Sequence, residues 1–61
     1  MKNLKELRQE SGMTQEQMAI KLNVEQATYS RWENGKINIP IEQLKKMAEM
    51  FNVSVDFILE R

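Results

Sequence analysis

The chain has 61 residues, the size of one small domain that buries only ~60% of its unfolded surface on folding. It has neither Cys nor His, which excludes disulfides and thiolate or imidazole metal sites and fits a reducing, cytoplasmic setting. Nine basic and nine acidic residues cancel to zero, a balance that by itself argues against a generic basic nucleic-acid binder.

The start, MKNLKELRQE, is charged throughout and lacks an apolar signal core, and no apolar run is long enough to span a membrane. Leu4 and Leu7 stand three apart and open a first helix, over about 2–11. Gly12 supplies the left-handed residue that ends it. Thr14 with Gln17 forms a capping box for a second helix, over about 14–22, whose stripe is Met18, Ala19 and Leu22. Asn23 is the break, because Asn ranks next to Gly in tolerating positive φ. The third helix, about 25–34, stops at Asn34-Gly35. Pro40 opens the fourth, about 40–51, lined by Ile41, Leu44, Met47, Ala48 and Phe51 and ended by Asn52. Ser54 caps the last, about 55–60, with Asp56 at its positive dipole end and Phe57, Ile58 and Leu59 as apolar contacts. The reading is all-α, one domain over 1–61, with five short helices.

Residues 14–36 place two short helices around a tight turn at Asn23, the layout of a helix-turn-helix whose second helix lies in a DNA major groove. Ala19 is small where the helices cross. Val24, Tyr29 and Trp32 anchor the second helix from beneath. At about 100° per residue, Tyr29 and Trp32 lie about 60° apart, and the opposite side holds Gln26, Ala27, Ser30, Arg31 and Asn34. Arg reads guanine, Gln pairs with adenine, and an Ala methyl packs on the thymine methyl. On an arbitrary helix such a polar face is merely solvated; here the capped first helix, Ala19 and Asn23 favour base reading.

Three stretches, LKELRQESGMTQEQMAIKLNV, SRWENGK and MFNVSVDFIL, make the chain resemble the Cro/CI-type (XRE-family) helix-turn-helix domain of phage repressors and bacterial regulators. The likeness covers nearly the whole chain. It implies a lambda-repressor-like fold of five helices around one core, with the third helix as reader. By position it implies base contacts at Gln26, Ala27 and Arg31, with Thr28 and Ser30 beside them. Gln15 matches a residue that hydrogen-bonds phosphate and braces the third helix. Asn34, Gly35 and Lys36 match a loop whose backbone N–H groups and Lys meet phosphate. Arg8 and Glu33 match a partly buried salt bridge. Ile39, Ile41, Val55 and Phe57 match dimer contacts, and a homodimer on a palindromic operator follows, in a bacterial or phage-encoded regulator of repressor type.

The chain departs from that pattern in three places. Asn23 stands where Gly is usual. Tyr29 and Trp32 replace Ile or Leu anchors, so the pocket beneath is wider or an edge is exposed. Glu25 replaces a capping Ser or Thr; simple capping is expected first, with acceptance from a cytosine amino group as the alternative.

Of the five Met residues, Met18 and Met47 have core spacing, and Met13 and Met50 sit at helix edges, which favours gap filling over a peptide groove. Lys2, Lys5, Lys45 and Lys46 are solvated or reach flanking phosphate. Glu42, Glu49, Asp56 and Glu60 fall in the last two helices, away from the reading face, so zero net charge hides a segregation that only Glu16 and Glu25 blunt. No Gly-rich phosphate loop, nucleophile elbow or zinc motif occurs, so no enzymatic activity, cofactor or metal is expected. The expected partner is double-stranded DNA. Two other readings stay open: a protein-interaction module of antitoxin or anti-repressor type, with a regulatory protein partner, and a DNA-binding domain of a longer regulator. The end at Glu60-Arg61, just past the last helix, equally suits a complete small regulator.

Overall fold

Each helix begins and ends where a few residues satisfy its orphan backbone groups. The computed structural model describes residues 2–35 and 38–59. Among them are five helices and no strand: α1 (Lys2–Glu10), α2 (Gln15–Leu22), α3 (Gln26–Glu33), α4 (Ile41–Phe51) and α5 (Val55–Ile58). All five lie where periodicity and caps place them. The Gln17 N–H donates to Thr14 Oγ1 at 3.1 Å, and the Thr14 N–H donates to Gln17 Oε1 at 2.9 Å, completing the capping box of α2. The Phe57 N–H donates to Ser54 Oγ at 3.0 Å and starts α5.

Three helices close in the same way. Asn23 has φ 58° and Asn52 φ 55°, beside Gly12 at φ 72°. After α2 the Asn23 N–H reaches the Ile20 carbonyl at 3.1 Å and the Val24 N–H the Ala19 carbonyl at 3.0 Å. After α4 the Asn52 and Val53 N–H groups reach Glu49 and Ala48 at 3.3 and 3.0 Å. This pair of bonds requires a left-handed residue between helix and exit, and Asn supplies it. Asn23→Gly is therefore expected within ~0.5 kcal/mol of wild type, whereas Asn23→Val loses ~1–2 kcal/mol, read from urea unfolding midpoints. Equal stability of the two variants would remove the left-handed turn from the account.

The core gathers Leu4 from α1, Met18, Ala19 and Leu22 from α2, Tyr29 and Trp32 from α3, Ile39 from the following loop, Leu44 and Met47 from α4, and Ile58 from α5. α2 packs on α3, α4 packs on α5, and α1 touches both α3 and α5. Tyr29 and Trp32 are wholly enclosed, at 0% and 2% exposure, so the wider pocket exists and no ring edge protrudes. The two rings meet edge-to-face with centroids 6.2 Å apart. Such a pair adds ~0.5–1.5 kcal/mol beyond burial. Met18 and Met47 are fully buried, as their spacing requires.

Four expectations are corrected at element ends. Pro40 is the N-cap of α4 and not its first helical residue. Ile41 is 58% exposed, because the inner stripe of α4 runs off the core at the first helical residue. α5 closes early, with the Leu59 N–H bonded to Val55 O at 3.0 Å; the remainder of its expected span, at Glu60, lies outside the described residues. Glu25 holds the N-cap position of α3 by backbone geometry alone and makes no side-chain cap bond. Its longer side chain does not settle on the N–H groups that a Ser or Thr hydroxyl reaches.

Candidate nucleic-acid interface

α3 presents opposite sides to the core and to solvent. Tyr29, Trp32 and Glu33 face inward. Gln26, Ala27, Arg31 and Asn34 are exposed on the other side, with Thr28 and Ser30 half-buried at its edges. The helix has eight residues, so it is ~12 Å long, close to the ~12 Å width of a B-DNA major groove.

The tilt of this helix is held by a buried polar cluster at its C-terminal end. Glu33 is 6% exposed and is the buried charged residue of the described chain. Arg8 Nε donates to Glu33 Oε2 at 2.6 Å and Nη2 to Oε1 at 3.3 Å, a fork-to-carboxylate pair. The third branch of the guanidinium, Nη1, donates to the Met13 carbonyl at 2.9 Å. Gln15 Nε2 donates to Glu33 Oε1 at 3.0 Å. One carboxylate thus joins α1, the first residue of α2 and the last of α3. Burial by itself would push the Glu33 carboxyl up; the hydrogen bonds from Arg8 and Gln15, with the Tyr29 hydroxyl alongside, outweigh it and hold the group below its ordinary 4.5. Burial, with the Glu33 charge beside it, pushes the Tyr29 phenol far above its ordinary 10.0.

These shifts set the pH limits of the domain. A carboxyl with a depressed folded pKa stabilises above the unfolded value, and that stability is lost as pH falls from about 4.5 through the folded value. A phenol with a raised folded pKa stabilises below 10.0, and that stability is lost as pH rises beyond it. Tyr29 is the single Tyr of the chain, so tyrosinate absorbance reports it alone. That absorbance is expected to appear together with the loss of helical circular dichroism. A phenol that titrates near its ordinary value while the helices persist would contradict this burial.

At the open end of α2, Thr14 Oγ1 takes the Gln17 N–H and the Thr14 carbonyl takes the Met18 N–H. The Gln15 and Glu16 N–H groups are the first orphan amides of the helix, beside the positive end of its dipole. The loop after α3 is different. The Asn34 N–H is bonded to Ser30 O at 3.1 Å and the Gly35 N–H to Trp32 O at 3.2 Å. Closing the helix engages both amides, so the backbone N–H groups expected to meet phosphate at Asn34 and Gly35 already carry internal bonds, while the Asn34 side chain is exposed. Lys36 lies outside the described residues.

Gln43 of α4 and Asn3 of α1 also escaped sequence reading. Gln43 Nε2 donates to the Leu22 carbonyl at 3.1 Å and ties α4 to the end of α2. Asn3 Nδ2 donates to the Phe57 carbonyl at 2.6 Å and ties α1 to α5. Side-chain bonds to distant carbonyls leave no periodic signal. Of the four expected dimer residues, Ile39 is corrected to a core residue, at 8% exposure, packed in the cluster with residues of α1 to α5. Val55 packs half-buried against that core. Ile41 and Phe57 stay exposed, at 58% and 48%.

The helix-turn-helix family profile matches residues 4–58. The chain belongs to the helix-turn-helix family. That family comprises DNA-binding transcriptional regulators. The chain is 39% identical over 56 residues to the HTH-type transcriptional activator BcrR of Enterococcus faecalis, covering 92% of this chain and 28% of that protein. It is 38% identical over 58 residues to the HTH-type transcriptional regulator ImmR of Bacillus subtilis, covering 95% of this chain and 46% of that protein. An uncharacterized HTH-type transcriptional regulator of Archaeoglobus fulgidus is 36% identical over 53 residues, with 87% and 76% covered. The chain therefore spans less than half the length of the first two relatives. No solved structure matches. No helix among the described residues is long and apolar enough to cross a membrane, and no group of His, Cys, Asp or Glu there is placed to hold a metal ion.

Proposed function

We propose that this single helix-turn-helix domain binds duplex DNA sequence-specifically and regulates transcription, acting as a homodimer on a palindromic operator in the cytoplasm of a bacterium. The observation that carries the reading is the two-sided α3: two large rings and a bridged carboxylate lock one side, and the other offers Gln26, Ala27, Ser30 and Arg31 at groove scale. Arg31 and Gln26 read base edges. Gln15, the first amides of α2 and Lys36 fix register on phosphate. One module makes few base contacts, so a two-fold dimer with half-sites about one helical turn apart supplies affinity. Ile41 and Phe57, exposed without a role in the core, support that dimer. Occupancy of a promoter by such a dimer represses transcription. The relative named as an activator makes a promoter-reporter assay the way to fix the sign of the effect.

A randomised duplex pool tests the reading, with enrichment of a palindrome at low salt expected. Arg31→Ala then costs about 1–3 kcal/mol on the enriched site and relaxes preference at one base pair. Equal losses on the enriched site and on random duplex would sink the base-reading role. No retention at low salt would leave the protein-interaction reading instead.

A further inference from the structure

We infer that Glu25 is a specificity-determining residue that selects a cytosine at one position of the bound site and penalises duplex lacking it. The inference rests on the DNA-binding reading above. Three observations meet at this residue. Glu25 immediately precedes Gln26 and the exposed face of α3, and is itself exposed. Its backbone does the work of an N-cap, its carbonyl accepting the Tyr29 N–H at 3.1 Å, while its side chain makes no cap bond. The ion pair of the described residues is Arg8–Glu33, and no bond or ion pair engages the Glu25 carboxylate there.

A carboxylate with no internal task, at the end of a reading helix, meets a surface of phosphates. The chain has no net positive charge to offset that repulsion. The carboxylate can only accept, so the base groups that satisfy it in a major groove are exocyclic amines. Adenine N6 stands between two acceptors, its own N7 and thymine O4, and both repel the carboxylate. Cytosine N4 has an acceptor on one side only, the guanine O6 of its pair, and a C–H edge on the other. Glu25 is thus satisfied over cytosine and unsatisfied elsewhere, which converts an unfavourable charge into discrimination.

The test uses the whole chain as wild type and as two variants, Glu25→Gln and Glu25→Ala, with circular dichroism confirming that all three are helical. Each is taken through the same randomised duplex pool and titrated on the enriched site and on random duplex. Wild type is expected to enrich cytosine at one fixed position. Both variants are expected to lose that preference, by ~10-fold, while binding random duplex several-fold more tightly. The Gln variant is expected to move toward adenine, whose N6 and N7 its amide matches. Variants that keep the wild-type preference at every position overturn the role of Glu25 and leave DNA binding standing. Variants that tighten on all sequences alike also overturn it, reducing Glu25 to a simple repulsive charge. A wild type that retains no duplex overturns the DNA-binding reading and this inference with it.

Discussion

Arg8→Ala is expected to destabilise the domain by ~3 kcal/mol, far beyond the ~0–1 kcal/mol of an exposed pair. The side chains concerned are 11% and 2% exposed, so little solvent is present to take the place of the lost partner. Removing the guanidinium takes from the buried Glu33 carboxylate its charged, two-pronged partner and also frees the Met13 carbonyl. A chain of this length has a total stability of ~3–9 kcal/mol, so the variant loses between a third and all of it. Arg8→Lys keeps the charge but not the fork and is expected to fall between. A double change to apolar residues, Arg8→Met with Glu33→Leu, is expected to recover much of the loss, since the cost lies in the uncompensated charge. Urea titration followed by circular dichroism measures all three. An unchanged midpoint for Arg8→Ala would show the bridge to be energetically idle.

Trp32→Ala is expected to cost ~3–5 kcal/mol and to leave the chain largely unfolded at room temperature. The ring is 2% exposed and stands edge-on to Tyr29, so its removal opens a cavity and ends the aromatic contact. Trp32→Leu is the more informative change. Leu is a usual anchor in domains that this chain resembles, yet the pocket here is built around an indole. The Leu variant is expected to lose ~2 kcal/mol, following the residual cavity at ~24 cal/mol per Å³. Thermal melts monitored by circular dichroism report both. A Leu variant as stable as wild type would mean that the pocket collapses onto the smaller side chain, and that the size of the anchor is not a constraint on α3.

Both predictions concern how α3 is held, and most of the reading function depends on that. A base-reading helix must be fixed to within a fraction of an ångström and a few degrees. The domain achieves this with a large apolar anchor along the helix and a buried charge at its end. Zero net charge then acquires a positive sense. On the proposed function, little non-specific attraction to phosphate makes binding depend on the fit of a few side chains on α3.

The helix boundaries were legible because they are local. Thr14 with Gln17, Ser54, and the left-handed Asn23 and Asn52 act on amides and carbonyls within about five residues, and no distant partner is needed to read them. The stripe Met18, Ala19 and Leu22 was legible for the same reason, since helical periodicity sets which side is apolar. What happens at element ends was not. Ile39 turned inward and Ile41, two residues on, turned outward, because coverage there depends on what packs against the start of α4 and not on helical periodicity. The clamp of Gln43 on Leu22 and the loss of the Asn34 and Gly35 amides to helix closure are also decisions of the tertiary structure, whereas the contacts of Arg8 and Gln15 with Glu33 follow the pattern of the family that the chain resembles. The sequence by itself determined the order and approximate span of the helices, the caps at Thr14, Asn23, Asn52 and Ser54, and the polar side of α3. Only the packed structure decided which end residues face solvent and which polar groups remain free to meet DNA, because each depends on atoms that packing, and not chain proximity, brings together.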